Sequence, residues 1–194
     1  MSTSAAKEFP PEKIRSIAAE VASLLKERKE SVCVAETVCF WPLLHSLYPK
    51  AEKASMDLLT LGLAGCTPGA SGIYKGGLTL YTLESRIAFA GWTQETITSY
   101  RGPTTDIVAG LATNVRPKLG ATYCVSESGT AGPTGGDTPN RTPGYVALAV
   151  ATESGTYTKE LSTGHGGDRE ANMIQFAVEG LGLLRDVIKG DAKL

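Results

Sequence analysis

The sequence has no basic surplus. Of 194 residues, 19 are Lys or Arg and 20 are Asp or Glu, a formal charge of −1. That balance argues against sequence-independent nucleic-acid binding, which draws its affinity from many phosphate contacts. Metal-ligand spacing is also missing. The four cysteines (Cys33, Cys39, Cys66 and Cys124) form no C-x-x-C pair, and the only histidines are His45 and His165. A Cys/His zinc site is not expected from this set. No run of ~18 apolar residues is present to span a bilayer, and residues 1–12 lack the apolar core of a signal peptide. The expectation is a cytoplasmic protein with free thiols and no membrane or nucleic-acid partner. Aromatic residues make up only 7% of the chain, and no internal repeat is visible. Glycine is abundant: 22 residues, about 11% against a usual ~7%. With no G-X-Y period, that excess points to functional loops.

The length fits one domain, expected over 13–194 after a polar tail at 1–12. Ile14, Ile17, Ala18, Val21, Leu24 and Leu25 recur at helical spacing and predict an amphipathic helix to about Arg28, opened by Pro11. Residues 31–36 (SVCVAE) read as a buried strand. Two short helices are expected over 40–63, and residues 62–77, with six glycines, read largely as loop. A strand over 78–82 precedes short helices at 84–90 and 93–100. Thr104 or Thr105 is placed to cap the next helix, with Ile107, Val108, Leu111, Ala112 and Val115 on its apolar face. Strands follow at 121–127, 144–152 and 156–162, the last two joined by a turn at Glu153-Ser154-Gly155. A long helix runs from about Asp168 to Lys189. This order predicts a three-layer α/β/α sandwich with a mixed sheet.

Four constellations stand out as sites for chemistry. Residues 126–137 (SESGTAGPTGGD) run from a strand into a loop of glycines and hydroxyls. Such a loop turns backbone N–H groups toward an anion or oxyanion, and Ser128 and Thr130 add donors. No G-K-[ST] follows, so it is not a Walker A loop. Ala35-Glu36-Thr37 lies at a strand end, where α/β folds build ligand crevices. Thr37 reads there as a nucleophile or as a turn residue. Tyr81 and Arg86 flank a second strand end and read as a site pair, or as packing and a solvated charge. Asp168 and Arg169 open the last helix, whose free N–H groups suit a phosphate or carboxylate; the alternative is a cap and a surface ion pair.

In order along the chain, the segments AETVCFW (35–41), PGASGIYKGGLTLYTLESR (68–86), RGPTTD (101–106), SGTAGPTGGDTPNRTPGY (128–145) and GGDRE (166–170) resemble the motifs of the CinA C-terminal-domain family, the nicotinamide mononucleotide amidases. The resemblance covers roughly 14–188. It implies a three-layer α/β fold, small-molecule substrate, homo-oligomeric assembly and no metal or cofactor. It also implies hydrolysis of a nicotinamide carboxamide by a hydroxyl nucleophile assisted by Tyr and Lys. By position, the nucleophile falls on Thr37, the Tyr on Tyr81 and the Lys on Arg86. Ser128 takes the place of the Thr that opens the glycine motif. The substrate-binding set becomes Glu36, Ser128, Gly129, Thr130, Gly132, Gly135, Gly136, Arg141, Asp168 and Arg169.

The chain departs from the family pattern at informative places. Thr37 keeps the hydroxyl but adds a methyl group that restricts χ1. Arg86 cannot accept a proton as a neutral Lys can. Cys39-Phe40-Trp41 replaces a glycine turn, and the stretch 42–63 is longer than the family helix. Two readings therefore stand together. One is an amidohydrolase in which Thr37 attacks and Tyr81, with Arg86 beside it, takes the proton. The other is a catalytically degenerate fold that binds a nucleotide-like ligand or partner. In a variant of the first, Phe40 and Trp41 wall the site for a different amide.

Overall fold

The computed structural model describes residues 10–37 and 58–193. Helix α1 (Glu12–Arg28) presents Ile14, Ala18, Val21, Ala22 and Leu25 to the core and ends at Lys29, whose left-handed conformation (φ 56°) closes the last turn. Strand β1 (Val32–Glu36) follows. Helix α2 (Leu58–Thr60) runs into a π-helical turn (Leu61–Gly65). Then come β2 (Tyr74–Thr79), α3 (Leu83–Ala90), α4 (Gln94–Ser99), α5 (Thr105–Leu119), β3 (Tyr123–Gly129), β4 (Tyr145–Ala151), β5 (Thr156–Ser162) and α6 (Arg169–Lys189).

The five strands form one mixed sheet in the order β2-β1-β3-β4-β5. β1 runs parallel to both β2 and β3, while β3–β4 and β4–β5 are antiparallel. Helices cover both faces, as the three-layer expectation requires. On one face Val32, Val34, Val125, Val146, Leu148 and Val150 pack with α1, α6 and the 58–65 segment. On the other, Cys33, Ala35, Cys124, Ala147, Ala149 and Ala151 meet α5 and Trp92. Central strands buried on both sides read as unbroken apolar runs, which is why VCVAE and YVALAVA were legible. β5, at an edge, carries exposed Thr158, Lys159 and Glu160. Cys33 and Cys124 are in-register neighbours with no exposure. Contact with the Cys33 thiol, together with burial, pushes the Cys124 thiol well up. Both are packing groups rather than nucleophiles.

Two sequence expectations shift. The strand expected at 78–82 lies at Tyr74–Thr79. The 62–77 stretch, read largely as loop, holds the π-helical turn and most of β2. Its glycines serve close packing. A Cβ on Gly62 would meet Ile14 at 3.1 Å, and one on Gly77 would meet the Tyr74 hydroxyl at 2.6 Å and the Thr60 hydroxyl at 3.0 Å. Of the two helices expected over 40–63, only the part from Leu58 falls within the described residues, and it is helical.

The helix caps match their sequence signals. Thr104 Oγ1 accepts from the Ile107 N–H at 3.3 Å, and Asp168 Oδ1 from the Ala171 N–H at 3.0 Å. The apolar face of α6 is consumed by the sheet and α1, so that helix is a core element. Leu148 is fully buried on central strand β4. Leu148→Ala is expected to cost about 2–5 kcal/mol, read as a lowered midpoint in urea unfolding with an unchanged slope.

Candidate active site

Parallel, in-register pairing of β1 and β3 builds the centre of the site. Glu36 lies opposite Glu127, so the residues that follow them, Thr37 just past β1 and Ser128 within β3, stand at the same level. The Thr37 N–H donates to Glu127 O at 3.1 Å, and Thr37 Oγ1 and Ser128 Oγ are hydrogen-bonded at 2.7 Å. Both hydroxyls are buried. They face a cavity of about 300 Å³ lined by Arg86, Tyr100, Gly102, Pro103, Gly129, Thr130, Thr134, Gly135 and Arg141 as well. The carboxyl ends of parallel strands are where α/β sheets leave room for ligands.

Arg86 reaches this wall from the second turn of α3 and is only 6% exposed. Its Nε donates to Leu80 O at 3.0 Å and its Nη2 to Tyr81 O at 3.5 Å. The guanidinium lies over the rings of Trp92 and Tyr100, at 5.0 and 5.3 Å from their centroids. Its Nη1 is buried and makes no hydrogen bond among the described residues.

The glycine loop is shaped by contacts on both sides. The Thr130 N–H donates to Tyr145 O and the Gly144 N–H to Thr130 O, both at 2.8 Å, extending the β3–β4 ladder. The Gly136 N–H donates to Arg141 O at 3.0 Å. Gly135 has no room for a side chain, since a Cβ there would lie 2.5 Å from Arg141 O. Gly129 is similar, with Tyr145 O at 2.8 Å and the Phe176 ring at 2.9 Å. Asn140 Nδ2 donates to Pro103 O at 2.8 Å and ties the loop to the segment before α5.

The predicted residues therefore divide. Thr37, Arg86, Ser128, Gly129, Thr130, Gly135 and Arg141 line one cavity. Gly136 packs on the Arg141 side chain just behind the lining. Glu36 points to the opposite face of the sheet and accepts from Thr79 Oγ1 at 2.9 Å. Tyr81, paired with Arg86 in the sequence reading, has a side chain that is 62% exposed and lies outside the lining. Only its carbonyl meets Arg86. Asp168 caps α6 and makes no hydrogen bond to the glycine loop among the described residues, whereas Arg169 Nη1 donates to Gly132 O at 3.0 Å and so ties the loop to the start of that helix. Phe40 and Trp41, read as an aromatic wall, lie outside the described residues.

Sequence reasoning missed Tyr100, Trp92 and Asn172. Gly102-Pro103 was legible only as a helix break. Asn172 is fully buried. Its Nδ2 donates to Ala131 O at 2.9 Å and Gly166 O at 2.8 Å, while its Oδ1 accepts from Thr163. Its one sequence signal was a polar residue on the apolar face of the last helix, beside Met173 and Phe176.

A profile of the CinA C-terminal domain matches residues 61–188. The chain belongs to this family. Its relatives include the CinA-like protein of Thermotoga maritima, 29% identical over 170 residues that make up 88% of this chain and 36% of that protein. The CinA-like protein of Shewanella sediminis is 34% identical over 109 residues, 56% of this chain and 25% of that protein. The chain thus spans little more than a third of these relatives at most. A CinA superfamily protein from Klebsiella pneumoniae shares the fold at a TM-score of 0.74 and 20% identity, covering 91% of this chain and 98% of that one. A competence or damage-inducible protein from Enterobacter asburiae does so at 0.72 and 20%, covering 90% and 98%.

Asn172→Ala removes the donor for two loop carbonyls and the acceptor for Thr163. The expected loss is about 1–3 kcal/mol, seen as a lower melting temperature, with faster hydrogen exchange at the Thr130 and Gly144 amides.

Proposed function

We propose that this CinA-family protein is an amidohydrolase acting on the carboxamide of a nucleotide-like substrate, of which nicotinamide mononucleotide is the type. The observation that carries the reading is the buried 2.7 Å hydrogen bond between Thr37 Oγ1 and Ser128 Oγ at the cavity wall. A hydroxyl attacks an amide carbon only when its proton has somewhere to go. With Tyr81 turned to solvent, the acceptor at hand among the described residues is Ser128 Oγ. The Thr37 O–H proton passes to Ser128, and the Ser128 proton passes to the departing amide nitrogen. One hydroxyl proton leaves Thr37 and one arrives on nitrogen, so ammonia departs and an ester forms on Thr37. Water then cleaves that ester by the same relay run backward, releasing the acid. Arg86 and the glycine loop line the same cavity as Thr37 and are the groups this mechanism assigns to the negative charge that develops on the carbonyl oxygen.

A second reading is favoured by the make-up of the wall. Among the described residues the lining holds two arginines and a tyrosine but no carboxylate, histidine or lysine. The wall thus lacks the His, Asp/Glu and Lys side chains that most often serve as general bases. The protein then binds a nucleotide-like ligand without cutting it. The cytoplasmic setting expected from the composition and the homo-oligomer implied by the family belong to this proposal too. Among the described residues no helix is long and apolar enough to cross a membrane, and Tyr81, Ile87 and Phe89 expose apolar surface around α3.

Ammonia release from nicotinamide mononucleotide is the test. Turnover abolished by Thr37→Ala and lowered on the order of 10²-fold by Ser128→Ala supports the hydrolase. Calorimetric binding with no ammonia released supports the binding protein and removes the hydrolase.

A further inference from the structure

Arg86 has a donor left over. Leu80 O and Tyr81 O hold two of its nitrogens, and the rings of Trp92 and Tyr100 fix its plane. Nη1 is buried and has no hydrogen-bond partner among the described residues, although buried donors are ordinarily satisfied. The residue belongs to the wall that carries Thr37 and Ser128. Nothing in that wall neutralises it, since Arg141 is the other charged lining residue and no acid lines the cavity among the described residues. Gly102 and Pro103, which also line it, lead directly into the N-terminus of α5, which adds further positive potential.

A carboxamide suits such a place poorly. It offers one acceptor oxygen, and its NH2 group turns donors toward a cation that has only donors itself. A carboxylate offers acceptors alone, together with a charge, and planar carboxylates pair with guanidinium groups in particular. We infer that Arg86 makes the cavity a reader of carboxylates: the ring substituent seated against Thr37 and Ser128 is held more tightly as the acid than as the amide. The inference rests on the nucleotide-site reading and deepens it. For a hydrolase it means that the acid product stays bound and inhibits. For a binding protein it means that the acid is the ligand.

Titration calorimetry of the full chain tests this with nicotinate mononucleotide, nicotinamide mononucleotide, ribose 5-phosphate and benzoate. The acid nucleotide is expected to bind at least roughly tenfold more tightly than the amide nucleotide. Arg86→Lys keeps the charge without the fork, and Arg86→Met keeps the stem. Both are expected to erase that preference while leaving ribose 5-phosphate binding unchanged, with circular dichroism melts confirming the fold. Loss of ribose 5-phosphate binding along with the preference assigns Arg86 to the phosphate and overturns the inference. Equal binding of acid and amide by the unaltered protein overturns it as well, and if the amide is also hydrolysed the proposed function survives. If neither nucleotide binds but benzoate does so in an Arg86-dependent way, the carboxylate reader stands and the nucleotide reading falls. If no probe binds, both fall.

Discussion

The in-register pairing of β1 with β3 is the constraint on which the site depends. Five consecutive residue pairs, from Val32 with Tyr123 to Glu36 with Glu127, fix the two strand ends at one height. A slip of one residue would turn every side chain of β1 to the other face of the sheet. Thr37 would then leave Ser128, and Val32 and Val34 would press toward α5 in place of Cys33 and Ala35. Core packing and site assembly are thus one specification. The register that seats valines on one face and small residues on the other also sets the 2.7 Å hydroxyl contact.

Around that fixed pair the remaining wall comes from segments with weaker regular structure, each held by polar contacts to backbone carbonyls. Arg86 grips Leu80 O, Asn140 grips Pro103 O, Asn172 grips Ala131 O and Gly166 O, and Arg169 grips Gly132 O. Side chains that read as chemistry in the sequence divide between wall and scaffold on this basis. Asp168 caps α6 and Arg169 braces the loop at Gly132, whereas Arg141 lines the cavity and also packs under Gly102 and Gly136.

Most of the fold was legible because buried strands and amphipathic helices have distinct periods. The 156–162 strand and the long terminal helix lie where the pattern put them. The 62–77 stretch misled because glycine frequency carries two meanings. It marks turns, and it also marks places where two backbones or a backbone and a bulky side chain come close. Gly62 and Gly77 are of the second kind, and only the packed neighbours distinguish them. The site was partly legible for a similar reason. Thr37 and Ser128 could be found because strand ends and glycine loops leave marks along the chain. The separation of Tyr81 from the cavity could not, because α3 carries Arg86 inward while Tyr81, before it, turns outward. Asn172 was hidden since its partners lie 6, 9 and 41 residues away.

The face of the sheet under α5 is made of Cys33, Ala35, Cys124, Ala147, Ala149 and Ala151, all with short side chains. α5 leads out of Gly102 and Pro103 at the cavity mouth, and Val108 O of that helix accepts from Ser126 on β3 at 2.6 Å. The thickness of this layer therefore acts as a spacer gauge for the pocket. A bulkier residue at Ala35 or Ala149, the register neighbours of Ser126, presses on α5 close to the cavity mouth, with no change in any residue of the lining.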